Sequence, residues 1–470
     1  MVCLKRIRVN GSLVEETIGM KERDKIPLLV IGGGASGMMA AIAASRRGMP
    51  VVLFEHEAEL GKKILATGNG RCNFTNERME AGLFRSGSME FVEIALGKYG
   101  KNELLRDFWQ LGIPAFCRDG YYYPNSQQAV SVRDVLEREL VRLGVRIFPK
   151  THVTGISLLK DRGRQIFSVQ TVHESYECDQ LILAAGGCAQ PKLGADGSGI
   201  QLARQLGHTV VPVCPALTAV ISDRNCFSKL KGVRVRGRVS VWEEEQFLSS
   251  DEGEIQLTDY GISGIPVFQV SRYIARACLL KRQKKLRVFL DFLPGMKEEE
   301  LLSYLQHRQK RDAKAEVSVW LSGLLNDRLL NVLYEESAIS IKETAGGISK
   351  KKLCQLAQNI KKFQVPVTDV QDFQKAQVTS GGVSLKEVNA QTMESKKIRR
   401  LYLTGELLDV DGICGGYNLQ WAFSTGYLAG CAAAEKERGT YDSYHTDKNR
   451  TFRTGAGTGK NSGNKRNGRK

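Results

Sequence analysis

Residues 28–31 form a short run of β-type apolar side chains, broken by Gly32-Gly-Gly-Ala-Ser-Gly37. Residues 38–47 then continue as an Ala- and Met-rich stretch that is apolar on most sides. A short apolar run bounded by glycine predicts a buried strand, and ten residues of which eight are strong helix formers predict a helix. Gly48-Met-Pro50 turns the chain into a second apolar run, Val51-Val-Leu-Phe54, which ends at Glu55. The pattern is a compact strand–helix–strand unit of under thirty residues.

Further along, residues 132–143 have amphipathic helical spacing, followed by a short strand at 145–148. Residues 153–159 and 165–172 alternate as paired strands, and 180–185 read as a buried strand. From about 208 the texture changes to short β-type stretches between Gly, Pro and charged turns. From 295 spaced leucines on charged backgrounds predict helices, and after 378 the Gly-rich mixed texture returns. The expected organisation is a discontinuous α/β domain. It runs as an N-terminal extension (1–25), a first part of the domain (26–207), an inserted β-rich domain (208–294) and a helical subdomain (295–375). The second part of the α/β domain (376–440) and a disordered basic tail (441–470) follow. Met20 makes a sensible alternative start, so residues 1–19 are expected to be dispensable.

Composition adds limits. With 42% hydrophobic and 25% charged residues over 470 positions, the chain is of ordinary globular type. Its longest nearly unbroken apolar run, 210–221, is far short of the roughly 20 residues that span a bilayer. The net charge of +17 is uneven: residues 448–470 hold eight Lys or Arg and no acid, leaving +9 for the rest. The tail therefore reads as a solubilising segment, and no nucleic-acid or membrane partner is expected. Eleven cysteines without a C-x-x-C read as free thiols of a reducing cytoplasm, and six histidines without ligand spacing give no metal site.

The chemistry begins at Gly32-x-Gly34-x-x-Gly37, which follows a strand and opens a helix, with Glu55 closing the next strand. Gly32 permits the tight turn, Gly34 lets backbone approach a pyrophosphate, and Gly37 allows close helix–strand packing. The N–H groups of the turn, including those of Ala35 and Ser36, face phosphate at a helix N-terminus. Glu55 suits ribose hydroxyls and repels a 2′-phosphate, so this site is not expected to hold NADP. A basic, glycine-broken loop follows, Gly61-Lys-Lys-Ile-Leu-Ala-Thr-Gly-Asn-Gly-Arg-Cys-Asn-Phe-Thr-Asn76. Lys63 and Arg71 can neutralise phosphate, Thr67, Asn69, Asn73 and Asn76 can bond polar edges, and Gly68 allows close approach. Such a loop suits a ligand longer than one nucleotide. A third signal joins the strand and turn Leu401-Tyr-Leu-Thr-Gly405-Glu406 to Asp409-Val-Asp411-Gly412 and to Gly415-Gly416-Tyr417-Asn418, which opens another helix. The positive end of that helix would stabilise an anionic reduced flavin.

On these motifs, together with Val378-Thr-Ser-Gly-Gly-Val383 and Thr392-Met-Glu-Ser-Lys396, the chain resembles the HI0933-like flavoprotein family over roughly residues 26–437. The resemblance implies a Rossmann-like FAD-binding domain, discontinuous, with an inserted β-barrel-like domain and a helical subdomain. It implies FAD contacts at the Gly32–Gly37 turn, Glu55, Lys63, Arg71, Asn73, Val153, Ala185, Gly186, Glu406 and Gly416 to Asn418. Asn69 stands where relatives commonly have Gly, Ile413-Cys414 replaces a more usual Pro-Thr, and Gly261-Ile-Ser-Gly-Ile265-Pro266 departs from a usual Gly-Leu-Ser-Gly-Pro.

Only one dinucleotide fingerprint is present, so NAD(P)H is expected as a transient reductant that leaves before the substrate enters. The resemblance implies reduction of an activated C=C in a small molecule, such as a 3-oxo-4-ene or 4,6-diene bile-acid or steroid nucleus. Such chemistry needs a donor to the oxo group and a proton source; Tyr417, Tyr260 and Tyr123 are the candidates. Two other readings stay open: a flavin amine oxidase of aminoacetone-oxidase type, and a non-enzymatic RNA- or partner-binding flavoprotein. Substrate identity and oligomeric state stay open as well.

Overall fold

The computed structural model describes residues 2–9, 12–19, 26–161, 163–282 and 285–451. Five parallel strands form the centre of the first lobe. Ile26–Ile31 lies between Val51–Phe54 and Ser175–Leu183, Arg146–Phe148 extends the sheet past Val51–Phe54, and Leu401–Leu403 pairs with the far half of Ser175–Leu183. The near half of Ser175–Leu183 pairs instead with Arg164–Thr171, which pairs with Val153–Asp161. Leu28, Leu29, Val30, Leu53 and Ile182 are buried, as expected of strands covered on both faces.

The helix Ala35–Ser45 lies in the same buried core as this sheet and packs closely on the C-terminal helix, Tyr417–Thr451. A Cβ at Gly426 would stand 2.1 Å from the Ser36 carbonyl oxygen, and one at Gly430 2.2 Å from that of Ala40. Two small residues four apart share one helix face and let the backbones touch. This is why residues 38–44 are apolar all round: the helix has almost no solvent side.

The second lobe carries seven antiparallel strands in the order Phe363–Val365, Leu286–Asp291, Arg234–Glu243, Gln246–Thr258, Gly261–Ser263, Val220–Ile221 and Asp369–Val370. The two edge strands are separated by residues 366–368 alone, a reach of at most about 14 Å. The sheet therefore curls until its edges are near neighbours. Helices Ile265–Leu279, Glu298–Arg311, Asp327–Glu336 and Lys350–Lys361 contribute to one apolar core with this sheet, through Val267, Leu301, Leu333 and Leu356.

Several expectations change here. The parts expected at 208–294 and 295–375 are one packing unit, because strands from the second complete the sheet of the first. Strands of two or three residues carry too little alternation to show in a sequence. Val210–Ala216, expected in the β-rich domain, pairs with Val378–Val383 where the chain leaves and re-enters the first lobe. Val2–Val9 and Ser12–Gly19, in the expected N-terminal extension, pair as an antiparallel hairpin. Residues 441–451, expected as disordered tail, continue the C-terminal helix, since extending a formed helix costs little per residue. The rest of that tail, 452–470, lies outside the described residues. No helix of the described residues is long and apolar enough to cross a membrane.

Candidate functional site

The segments that follow the parallel strands converge at the carboxyl edge of the sheet, where open α/β sheets bind ligands. Gly32 has φ +102°, and a Cβ there would stand 2.5 Å from the Ala184 carbonyl oxygen. A Cβ at Gly37 would stand 1.8 Å from the Gly32 carbonyl oxygen, so only glycine lets the helix close on the strand. Gly34 is the contrast: a Cβ there would meet no atom within 4 Å. Its face is open, beside the first-turn N–H groups of Ala35 and Ser36, which have no intrahelical acceptor.

Glu55 is buried beneath this turn, its Oε2 accepting the Gly33 N–H at 2.6 Å and its Oε1 the Glu57 N–H at 2.8 Å. The Thr151 N–H donates to the Glu55 carbonyl at 2.8 Å, which brings Val153 to the same end of the sheet. Ala185 and Gly186 follow Ala184, whose N–H donates to the Ile31 carbonyl at 2.8 Å.

Gly405 packs on the start of the fingerprint helix, where a Cβ would stand 2.7 Å from Ser36 Oγ. Its N–H donates to Thr425 Oγ1 at 2.9 Å, and its carbonyl accepts from Trp421 Nε1 at 3.1 Å. Glu406 accepts from Lys63 Nζ at 2.6 Å and from the Thr379 N–H at 2.9 Å. Two predicted residues 343 positions apart are thus joined in one ion pair.

The loop after Thr67 is sharply turned. Gly68, Asn69 and Gly70 have φ of +56°, +54° and +80°. Asn is among the few non-glycine residues that tolerate this region, which accounts for the replacement at 69. With its amide oriented to satisfy both ends, Asn73 donates to the carbonyls of Tyr122 (3.1 Å) and Thr75 (2.9 Å) and accepts the Gly416 N–H (3.3 Å). Asn418 accepts the Gly412 N–H at 2.8 Å and donates back to its carbonyl at 2.9 Å. Both amides bind the protein's own loops and so shape the site. Gln420 is the first residue of this helix whose N–H reaches an intrahelical carbonyl, that of Gly416 at 3.0 Å. The N–H groups before it remain for a ligand. An open glycine face, a buried ribose-type acid and two helix N-termini flanked by Lys63 and Arg71 fit FAD.

The three candidate tyrosines separate. Tyr417 is buried, edge-on to Phe84 with ring centroids 5.7 Å apart, and burial pushes its hydroxyl up to about 12. Tyr260 sits at a turn of the second lobe, partly exposed. Neither lines the cavity of about 340 Å³ that Tyr123 and Arg71 share with Phe116, Tyr121, Gln127 and Ile265. This cavity lies between the two cofactor loops. A Cβ at Gly68 would stand 3.5 Å from the Tyr123 ring, and one at Gly415 2.7 Å from the Tyr121 ring. Phe116 and Tyr123 stack at 5.9 Å, and Ile265 reaches in from the second lobe.

Burial, reinforced by the neighbouring Cys414, Tyr123 and Asp251 groups, raises the Tyr121 hydroxyl above the usual range. It therefore stays protonated at neutral pH. Phe116, Arg118, Asp119, Tyr121 and Gln127 were not among the expected site residues, and Ile265 stood only as a departure from the family pattern. Tyr121 had a signal, since it stands two positions from Tyr123 on one strand and hence on the same face, and Ile265 had one as part of the departure from the usual Gly-Leu-Ser-Gly-Pro. Cys72 and Cys414 lie inside the cofactor loops, and burial pushes both thiols up to about 12. Among the described residues there is no group of metal-binding side chains.

Residues 26–432 match the model of the HI0933-like protein Rossmann domain. The chain belongs to this family. It is a flavoprotein of the FAD-binding Rossmann type and an oxidoreductase. It is similar to the 3-dehydro-bile acid delta(4,6)-reductase of Clostridium scindens, with 43% identity over 409 residues, 87% of this chain and 98% of that protein. It is also similar to two ribosomal RNA dihydrouridine synthases at 28% identity. That of Haemophilus influenzae aligns over 85% of this chain and 96% of its own length, and that of Escherichia coli over 86% and 97%.

Proposed function

We propose that the protein uses NAD(P)H to reduce a C=C bond conjugated to a carbonyl, in a substrate of the 3-oxo-4-ene or 4,6-diene steroid type. The observation that carries this reading is the cavity between the two cofactor loops, walled by Phe116, Tyr121, Tyr123 and Ile265. Four of its eight lining residues are aromatic or aliphatic and offer a face to a fused-ring nucleus, while Arg71, Arg118, Asp119 and Gln127 form its polar side; the 43% identical relative is a reductase of such a nucleus by name. Bound FAD supplies the hydride. Tyr121, kept protonated, is placed to hydrogen-bond the substrate carbonyl or to give the proton taken up at the neighbouring carbon. Tyr123, on the same strand face, can serve as the second donor. The nicotinamide nucleotide has no fingerprint of its own, so it visits the cavity and leaves before the substrate.

The test is anaerobic absorbance of the purified flavoprotein. NADH or NADPH bleaches the visible band, and a 3-oxo-4-ene steroid restores it, giving a product two mass units heavier than the substrate. Bleaching by a small amine without nicotinamide nucleotide would overturn the reading in favour of an amine oxidase. Failure of any enone to reoxidise the reduced protein would overturn it as well.

A second reading keeps the chemistry and changes the substrate. The C5=C6 bond of uracil is also conjugated to a carbonyl, and two relatives matched over nearly their whole length are named dihydrouridine synthases. Arg71 and Arg118 line the same cavity and offer contacts to phosphate. Reoxidation of the reduced flavoprotein by ribosomal RNA, with dihydrouridine detected in the digest, would favour this substrate over the steroid.

A further inference from the structure

We propose that helix Ile265–Leu279 of the second lobe positions the cofactor, acting through Gln269 and Arg272 on the loop that opens the C-terminal helix. The inference rests on the reading that the first turn of helix Tyr417–Thr451 faces the flavin. Gln269 Oε1 accepts the N–H of Cys414 at 2.9 Å. Arg272 donates from one terminal nitrogen to Asp411 Oδ1 at 2.9 Å and to Ser380 Oγ at 3.0 Å. The hydroxyl of Tyr273 accepts from Arg85 Nε at 3.0 Å, and Arg85 is the strand partner of Asp411. Positions 269, 272 and 273 share one helix face, and that face grips the loop at several points.

The grip continues to the helix itself. Asp411 is followed by Gly412, whose N–H and carbonyl are both held by the Asn418 amide, at 2.8 and 2.9 Å. Direct contacts thus run from Arg272 to Asp411, through Gly412, to Asn418 in the first helical turn, with Gln269 fixing the intervening residue Cys414. Asp411 is buried and Arg272 half-buried. Charge-assisted bonds in such surroundings hold geometry more firmly than they would at the surface. Neither Gln269 nor Arg272 lines the cavity, so both are positioning residues.

The test compares Q269L, R272K, R272M and the double variant R272M/D411N with the wild-type protein, each first shown to be folded by circular dichroism and thermal unfolding. The double variant is included because R272M alone leaves a buried carboxylate without its partner. The readouts are the FAD dissociation constant, the flavin reduction potential and the visible circular dichroism of bound flavin. None of them needs a substrate, so they stand apart from the choice of enone. The expected result for Q269L and the double variant is FAD binding weakened about ten-fold or more, the equivalent of one lost buried hydrogen bond to a fixed group. A more negative potential and an altered flavin spectrum accompany it, and R272K falls between, because the charge is kept and the planar guanidinium is not. Folded variants with wild-type FAD affinity, potential and spectrum would overturn the proposal.

Discussion

Gly34→Ala separates cofactor binding from folding. The backbone at Gly34 has φ −76° and ψ −171°, an extended conformation open to any L-residue. A Cβ there touches nothing within 4 Å. Two small effects on the cofactor-free protein oppose each other. Alanine is a poorer helix N-cap than glycine, by about 0.5–1 kcal/mol, and it lowers the entropy of the unfolded chain by an equivalent of about 0.4–1 kcal/mol. Net stability should stay within about 0.5 kcal/mol, a shift in Tm of no more than about 2 °C. The pyrophosphate is expected to approach this open face. A methyl group in that contact costs about 1–3 kcal/mol, as overpacking does elsewhere, which weakens FAD binding about 5- to 150-fold.

Gly37→Ala is the control of opposite kind. Its Cβ would lie 1.8 Å from the Gly32 carbonyl, where ordinary contact begins at 3.4 Å. The helix must retreat, and both stability and FAD binding fall. The assay is FAD titration by fluorescence alongside thermal unfolding of the cofactor-free proteins. Wild-type FAD affinity in Gly34→Ala would refute the placement of the pyrophosphate, and unfolding of its cofactor-free form would refute the open face.

Three further outcomes follow from the same geometry. Tyr121→Phe should slow reoxidation of the reduced protein by an enone about 10²-fold and leave reduction by NAD(P)H unchanged, whereas Tyr417→Phe and Tyr260→Phe should leave both near wild type; stopped-flow measurement of the two half-reactions separates them. Burial works against ionisation of Glu387, but hydrogen bonds from Lys397 and Thr209 outweigh it and hold the carboxyl at about 2, below its ordinary 4.5. Its contribution to stability is complete above pH 4.5 and is lost as pH falls towards 2, so Glu387→Gln should flatten the acid limb of a series of melts against pH. Iodoacetamide on the native protein should label the exposed Cys117 before the buried Cys72 and the half-buried Cys414, whose thiols burial pushes up to about 12, and peptide mass spectrometry showing early labelling of Cys72 would contradict its burial.

Local pattern determined a good deal. The strand–turn–helix at 26–45, the acid at the next strand end and the glycine turn before the C-terminal helix are each legible from a few neighbouring residues. The reason is that a phosphate-binding turn needs particular glycines at particular spacings. The glycine-broken loop at 61–76 was legible in the same way, whereas its left-handed run at 68–70 came from the structure. Pairings across long sequence separations were not legible: Lys63 with Glu406, Tyr121 against Gly415, Arg272 on Asp411, and the short edge strands that curl the second lobe's sheet. The reading of Asn73 and Asn418 shows the difference well. An amide next to a cofactor motif looks the same in sequence whether it meets a ligand or the backbone of its own loop, and only the folded chain shows that both hold backbone. The sequence by itself determined the FAD-binding unit, because its requirements are local. The tertiary structure alone decided which tyrosines meet in the cavity and which helix grips the cofactor loop, because those depend on how distant segments pack.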